Sequence, residues 1–341
     1  MTPPASADAP ADATDAAVRL GVWAGRDNDF ALLDPILDRL PGRFHVRRFT
    51  WSPDVPAEVL TRQLARVDVA WLEGCDGPAA PVSRLAHDVP VFCRFLRDTL
   101  YTDVPRQMDW AAVDHLAFHT PGLQQRFTEQ YGAPDATEMS VVPGGIALDE
   151  IGFDAERARG FDVAFAGGIH YARNPMLALQ IFRTLVDRDA RYQLHVAGPI
   201  YHIELAEYLA YQTQQLGLGA NVHFYGPLDA ARGAAFLRQC TFLLDTSVRE
   251  DYPFAALEAM AIGLKPVVHD FAGARDIFPT EILFNTVDEA VALLTEEAYV
   301  PAVYRRFVEE HYGLARQIDA YAALLDGLVA RYYPDGIAPT A

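Results

Sequence analysis

The sequence predicts an α/β protein built from two domains, each with a parallel β-sheet. Apolar runs that end in turn residues alternate with segments of helix length, and this pattern of βα units occurs twice along the chain. A length of 341 residues suits about two domains, and a composition of 51% hydrophobic and 22% charged residues indicates a globular chain with a sizeable core.

Five apolar runs predict the strands of the first domain. Helices are predicted between them, from Asn28 to Leu40 and from Pro56 to Arg66. The predicted strands read, in order, VRLGVWAG, FHVRRFTW, VDVAWLEG, VPVFCRF and DHLAFHT.

The stretch VVPGGIALDEIGF predicts the domain boundary, because Pro143, Gly144 and Gly145 suit a chain reversal or a hinge. The first domain is therefore expected to cover residues 18–145 and the second residues 146–315.

The second half repeats the architecture without repeating the sequence. A helix is predicted from Pro175 to Asp187, and another from Pro253, whose fixed φ suits a helix start, to Ile262, just before Gly263. The predicted strands read FDVAFAGG, YQLHVAGP, NVHFYGP, CTFLLDTS and KPVVHDF.

The segment 316–333 has apolar residues at helical spacing, so one face of a helix is expected to pack on another part of the molecule. We expect this helix to fold back and complete the first domain.

Composition limits the cellular setting and the partners. Residues 1–17 are rich in Ala, Pro and Asp and are expected to be a disordered tail rather than a signal peptide. Cys75, Cys93 and Cys240 lack metal-ligand spacing and fit reduced, buried residues of a cytoplasmic protein. A net charge of −18 argues against nucleic acid and anionic membranes as partners.

Two carboxylates stand out in the segment SVREDYPFAALEAMAIGLKPVV. Glu250 falls on the loop before the predicted helix, and Glu258 falls inside it between the apolar runs FAAL and AMAI. Burying Glu258 there would be costly without a partner, although exposed glutamates are common and an ordinary surface role is the alternative. Backbone amides at the helix start, around Phe254 and Ala255, predict a diphosphate site.

The order AGGIHYARNP, LHVAGP, VHFYGPL and SVREDYPFAALEAMAIGLKPVV resembles retaining glycosyltransferases of the GT-B fold, similar to glycosyltransferase family 4, over residues 141 to 275. Residues 18 to 140 match in architecture only. The resemblance implies two Rossmann-like domains that face a cleft, with the nucleotide sugar on the second domain. It also implies that Glu250 binds hydroxyls of the transferred sugar and Glu258 binds the ribose.

The resemblance further implies that Arg173, just before Asn174, pairs with the diphosphate, since its guanidinium can form two hydrogen bonds to phosphate oxygens. The family usually has a second basic residue where this chain has Gly168. A plain surface arginine is the alternative for Arg173. The remaining residues implied in donor binding are Gly198, Pro227, Leu228, Asp251, Tyr252 and Pro253.

In the first domain, Gly25 and Arg26 follow the first strand, and Glu73 and Asp98 lie at the ends of later predicted strands, so these four are candidates for the acceptor side of the cleft. A solvated surface role is the alternative for Glu73 and Asp98. His119 is a candidate catalytic residue in place of the histidine that many family members carry, although a lone histidine is more often structural.

The predicted function is therefore transfer of a sugar, with retention of anomeric configuration, from a nucleotide sugar, UDP being the commonest nucleotide in related enzymes. No cofactor and no essential metal are expected, and the acceptor is expected to be a soluble small molecule or glycan, without integral membrane association. The alternatives are a nucleotide-sugar epimerase of the same fold and a non-catalytic nucleotide-sugar-binding protein.

Overall fold

The computed structural model describes residues 17–25, 27–52, 55–74, 77, 79–85, 87–135, 137–250 and 252–337. The predicted tail lies, as far as residue 16, outside these ranges. The described chain forms two six-stranded sheets whose strand pairings are all parallel. This confirms the predicted fold class.

The first sheet contains all five strands expected from the apolar runs. Its central strands are apolar without alternation because helices cover both faces of the sheet. The strands are β1 (Val18–Ala24), β2 (Phe44–Thr50), β3 (Val69–Gly74), β4 (Val91–Phe95), β5 (His115–Phe118) and β6 (Glu138–Val141). They lie in the order β2-β1-β3-β4-β5-β6. The edge strand β6 was not predicted, since none of its residues is fully buried and it carries no apolar run.

The second sheet also contains its five expected strands and one short edge strand. The strands are β7 (Asp162–Ala166), β8 (Gln193–Ala197), β9 (Val222–Gly226), β10 (Phe242–Asp245), β11 (Lys265–His269) and β12 (Leu283–Phe284). Their order is β12-β11-β10-β7-β8-β9, which places β10 and β7 side by side at the centre. The loops that follow these two central strands are therefore neighbours.

Helices connect the strands and cover the sheets. Those of the first half are α1 (Asp27–Leu37), α2 (Ala57–Leu64), α3 (Ala79–Ser83), α4 (Val104–Gln107) and α5 (Pro121–Tyr131). Those of the second half are α6 (Pro175–Arg188), α7 (Ile203–Gln215), α8 (Ala230–Gln239), α9 (Phe254–Ile262), α10 (Val287–Thr295), α11 (Pro301–His311) and α12 (Leu314–Tyr332).

The C-terminal helix α12 packs on the first sheet. Its Tyr321 is fully buried, with its ring centroid 4.9 Å from that of Trp71 on β3. The chain thus crosses between the domains twice, and the two crossings run side by side: the backbone N–H of Ile146 donates to the carbonyl of Tyr312, and that of Leu314 donates to the carbonyl of Ile146.

The cysteine prediction is wrong for one residue and holds for another. Cys93 on β4 is disulfide-bonded, whereas Cys240 is a free, buried thiol; Cys75 lies outside the described residues. The cysteines therefore give no argument for a reducing compartment. Within the described ranges, no helix combines the length and apolar character needed to cross a membrane.

Candidate functional site

The carboxyl ends of the two sheets meet across a cleft between the domains. On one side of it, Arg249 from the loop after β10 forms a 3.0 Å ion pair with Asp98, which follows β4. Elsewhere the backbone N–H of Gly122, at the start of α5, donates to Asp276 Oδ2 at 3.0 Å. The cleft lies where parallel α/β sheets bind ligands, beyond the carboxyl ends of their strands.

Glu250 and Glu258 lie on the second-domain side, one on the loop and one on the helix, as the helix bounds predicted from Pro253 and Gly263 require. Helix α9 is almost entirely buried, and Glu258 is its exposed residue. No hydrogen-bond or ion-pair partner of Glu258 lies among the described residues. The carboxylate is in contact with solvent, yet the surrounding protein desolvates it enough to raise its pKa. An acidic group held this way is ready to accept hydrogen bonds from a ligand.

Arg173 lies between two carboxylates. Its Nη1 is 3.2 Å from Asp245 Oδ2, at the end of β10, and its Nε is 3.6 Å from Glu250 Oε2. Asp245 is buried, while Arg173 and Glu250 retain 12% and 19% exposure of their side chains, so both remain accessible from the cleft. The predicted phosphate-binding arginine and the predicted sugar-binding glutamate are therefore neighbours.

The starts of two helices approach each other at this pair. Asn174 caps α6, adopting a left-handed conformation with φ 48° and accepting the N–H of Leu177. Helix α9 begins four residues after Glu250. Helix N-termini attract anions through their dipoles and unpaired N–H groups.

The backbone amides of Phe254 and Ala255, at the start of α9, were both predicted to bind a diphosphate, and the structure differs from this prediction at Phe254. The N–H of Phe254 already donates to the carbonyl of Tyr252 at 2.9 Å, so it is not available to a diphosphate. The N–H of Ala255 has no acceptor among the described residues.

Two glycines bring the loops after β7 and β8 into backbone contact. Gly198 has φ 143°, and a Cβ there would collide with the carbonyl oxygen of Gly167. The N–H of Ile169 donates to the carbonyl of Pro199 at 2.8 Å, which continues the pairing of the two strands into the loops. Gly168, where the family usually has a basic residue, faces the ring of Tyr201. This aromatic side chain occupies the space next to Gly168.

The segment that carries this geometry matches a known family. Residues 153–284 match the profile of glycosyl transferases group 1. A curated GDP-mannose:cellobiosyl-diphosphopolyprenol alpha-mannosyltransferase of Xanthomonas campestris is 24% identical over 134 residues, 39% of this chain. The match spans only 35% of that relative's length. The second domain thus carries a segment similar to glycosyl transferases group 1.

Two solved structures resemble most of the chain. HepE of Anabaena, in complex with UDP and glucose, has a TM-score of 0.75 at 13% identity over 91% of this chain and 100% of its own. Sucrose-phosphate synthase of Thermosynechococcus elongatus has a TM-score of 0.68 at 13% identity over 92% of this chain and 100% of its own. These similarities confirm the predicted GT-B fold.

Tyr252 and Pro253, predicted to bind the donor, are buried instead. Tyr252 is 6% exposed, and its hydroxyl donates to the carbonyl of Gly144 in the interdomain linker at 2.7 Å. Its ring lies 5.2 Å from that of His119. Tyr252 thus joins the Glu250 loop to the linker and to the first domain.

His119 is buried beside Tyr252 in this arrangement. The side chain is 6% exposed, and burial, aided by the charge of Arg94, lowers its pKa to about 3. It is therefore neutral at physiological pH, and its Nδ1 has no partner among the described residues. Because Tyr252 packs against it, His119 does not face the cleft directly, and its catalytic role stays a prediction.

The first-domain candidates have different surroundings. Glu73 is buried and binds Arg94 in an ion pair inside the first sheet, so it is structural rather than an acceptor ligand. Asp98 lies at the cleft, where it forms an ion pair with Arg249, and Gly25 directly follows β1. Arg26 and Asp251 lie outside the described residues. On the second domain, Pro227 is exposed after β9 and Leu228 packs partly into the core.

A cavity of about 430 Å³ also opens between the domains, lined by α5 and the loop after β11. Arg173, Glu250 and Glu258 do not line it. In the part of the chain described, no group of three or more His, Cys, Asp or Glu could hold a metal ion.

Sequence reasoning missed Arg249 and Asp245. Arg249 also lies over the ring of Tyr101, 4.7 Å from its centroid, and so contacts the first domain through two residues. A basic residue beside Glu250 in so acidic a chain was the available signal for Arg249. Asp245 had no such signal, because strand ends often carry aspartate.

Proposed function

We propose that the protein is a glycosyltransferase that moves a sugar from a nucleotide sugar to an acceptor hydroxyl with retention of anomeric configuration. The observation that carries this proposal is the contact between Arg173 and Glu250, made on the loop that leads into α9, the helix that carries the exposed Glu258. That arrangement lies within the segment that matches glycosyl transferases group 1.

Each group has a role that its surroundings allow. Glu258, with no protein partner described, accepts two hydrogen bonds from the ribose diol. Arg173, together with the starts of α6 and α9, binds the diphosphate and stabilises its charge as it leaves. Glu250, held by Arg173, accepts hydrogen bonds from hydroxyls of the transferred sugar.

The donor is proposed to be a UDP-sugar. Support comes from HepE, whose similar structure was solved in complex with UDP and glucose. The Xanthomonas relative is named for GDP-mannose, so the nucleotide base is the first property to test.

The chemistry is proposed to need no essential metal, with the leaving phosphate acting as the base on the same face of the sugar. The acceptor is proposed to be a soluble small molecule or glycan, and a cytoplasmic location stays a prediction. Removal of divalent metals by EDTA is expected to leave the rate unchanged.

A second candidate is a nucleotide-sugar-binding protein without transferase activity. Two observations favour it: His119 is buried under Tyr252, and Gly168 stands where the family usually has a basic residue.

Calorimetry and donor turnover distinguish the two. Glu258→Ala is expected to weaken nucleoside diphosphate binding about tenfold or more, since hydrogen bonds to a charged group contribute about 1.5–3 kcal/mol. Glu250→Ala is expected to lower turnover more than affinity for the bare nucleotide. Glu310→Ala, an exposed glutamate on α11, is the matched control.

The assignment fails if neither variant differs from the control with any nucleotide. A donor that binds but is neither transferred nor hydrolysed over many hours, with a broad acceptor panel, establishes the binding protein instead.

A further inference from the structure

Asp245 is a buried carboxylate with two partners. It is the last residue of β10 and is 1% exposed. Its Oδ1 accepts the backbone N–H of Ser247 at 2.9 Å, and its Oδ2 accepts Nη1 of Arg173 at 3.2 Å. A buried ion pair is a weak source of stability, because the cost of desolvating two charges can exceed their attraction. The pair therefore matters less for stability than for where it places the guanidinium of Arg173.

The guanidinium of Arg173 is enclosed on three sides. Its Nη1 contacts Asp245, and its Nε lies 3.6 Å from Glu250 Oε2. Its Nη2 lies against Gly167, directly after β7, since a Cβ on that glycine would collide with this nitrogen. The group is thus held between the ends of the two central strands, β7 and β10, and the loop that leads into α9.

The backbone of Arg173 is held by the same segment as its side chain. The hydroxyl of Thr246, the first residue after β10, lies 2.8 Å from the carbonyl oxygens of both Arg173 and Asn174, to which it donates. Two residues further on, the backbone N–H of Val248 donates to the carbonyl of Ala172 at 2.8 Å. The end of β10 and the loop after it therefore fix this arginine at its backbone and at its guanidinium.

Arg173 keeps donors for a ligand. A guanidinium has several N–H donors, and among the described residues the hydrogen bond to Asp245 is the one that this side chain makes. The separation of 3.6 Å between its Nε and Glu250 Oε2 is longer than a hydrogen bond. Because the side chain is partly exposed, its remaining donors can meet phosphate oxygens.

We propose that Asp245 is a positioning residue: it fixes the guanidinium of Arg173 so that the remaining N–H donors meet the diphosphate of the nucleotide sugar. This rests on the donor site of the proposed function. A long side chain loses conformational freedom when it is immobilised, and this loss weakens binding if it occurs only with the ligand. Because Asp245 holds Arg173 in the folded protein, the loss occurs on folding, before the donor binds.

The negative charge of Asp245 acts against this role. A carboxylate near a diphosphate repels it, so charge alone predicts that removal of this charge tightens donor binding, whereas positioning predicts weaker binding. Asp245→Asn keeps the size of the side chain but has a single accepting oxygen in place of the two that serve Ser247 and Arg173. The variant thus removes the charge and loosens Arg173, and the sign of the change in affinity distinguishes the two effects.

Isothermal titration calorimetry with UDP-glucose and GDP-mannose, and with the nucleosides uridine and guanosine, measures this change. We expect Asp245→Asn to weaken binding of the nucleotide sugar by about tenfold, the contribution of one hydrogen bond to a charged group. Affinity for the nucleoside should stay unchanged, because a nucleoside has no phosphate for Arg173 to contact.

Asp68→Asn is the matched control. Asp68 is 2% exposed and, like Asp245, accepts a backbone N–H and an arginine side chain, here both from Arg19, at 2.7 and 2.9 Å. It directly precedes β3, at the end of the first sheet away from the cleft. Its variant is expected to lower Tm without changing the affinity for the nucleotide sugar.

A double variant separates positioning from general damage to the fold. In the background of Arg173→Ala, Asp245→Asn is expected to cause no further loss of affinity for the nucleotide sugar, because Asp245 acts through Arg173. A loss that arises from a disturbed fold would persist in that background.

A crystal structure of the parent protein with its nucleotide sugar tests the same contact without any variant. We expect Nη1 of Arg173 to stay on Asp245 while another nitrogen of the guanidinium contacts a phosphate oxygen. This measurement decides the matter even if Asp245→Asn does not fold.

Three results would each overturn the inference and leave the proposed function standing: unchanged or tighter donor binding in Asp245→Asn, a further loss in the Arg173→Ala background, or an Arg173 that has left Asp245 in the complex. If the parent protein binds neither nucleotide sugar, the donor site itself is wrong and both proposals fall.

Discussion

Replacing Tyr252 by phenylalanine tests the link between the donor loop and the interdomain linker. The change removes one atom from a buried side chain whose hydroxyl donates to the carbonyl of Gly144 at 2.7 Å. Burial raises the pKa of Tyr252 far above its ordinary value, so the hydroxyl stays protonated and able to donate at any assay pH. The ring contacts with His119 and Phe254 remain.

The expected loss of stability follows from this geometry. Tyr252 is 6% exposed, so water cannot fully replace the lost donor to the Gly144 carbonyl. A buried hydrogen bond contributes about 1 kcal/mol net, and an unsatisfied partner raises the cost to about 1–3 kcal/mol. In a domain of 150–250 residues each kcal/mol corresponds to about 2–4 °C in Tm, so we expect Tm to fall by several degrees.

Differential scanning calorimetry and donor turnover measure the two consequences. Tyr299→Phe is the matched control, because its hydroxyl donates to the carbonyl of Gly263 at 2.8 Å within the second domain. Both variants should lose stability, whereas only Tyr252→Phe should alter kcat or KM for the donor. An unchanged Tm in Tyr252→Phe, or an equal change of turnover in the control, would refute this reasoning.

Two further predictions concern buried groups. Arg94→Met leaves the buried Glu73 carboxylate without its cation and is expected to lower the free energy of unfolding, measured in urea, by about 3–5 kcal/mol. The double variant Glu73→Leu/Arg94→Met should recover most of this lost stability. Equal losses in the single and the double variant would contradict the importance of the ion pair. Burial raises the pKa of the Cys240 thiol to about 12, so iodoacetamide at pH 8 should leave it unmodified in the folded protein and alkylate it in urea. Mass spectrometry of the Cys240 peptide measures this, and rapid native labelling would show that the thiol is accessible.

The sequence predicted those features whose signal is local. A strand buried on both faces must be a continuous apolar run, and for this reason ten strands were readable and the edge strands β6 and β12 were not. Helix α9 was predicted within one residue because Pro253 and Gly263 restrict the backbone at its ends. These helix bounds also assigned Glu250 to the loop and Glu258 to the helix.

Only the tertiary structure decided which residues at the strand ends are open to the cleft. Glu73, Asp98 and His119 all lie at or just after the ends of strands of the first sheet, yet their surroundings differ. Glu73 is paired with Arg94 inside the sheet, His119 is buried under Tyr252, and Asp98 is exposed and paired with Arg249. Their solvation depends on side chains distant in the sequence, several of them from the other domain. No local pattern records such contacts, so burial, charge pairing and the resulting pKa of each group follow from packing alone.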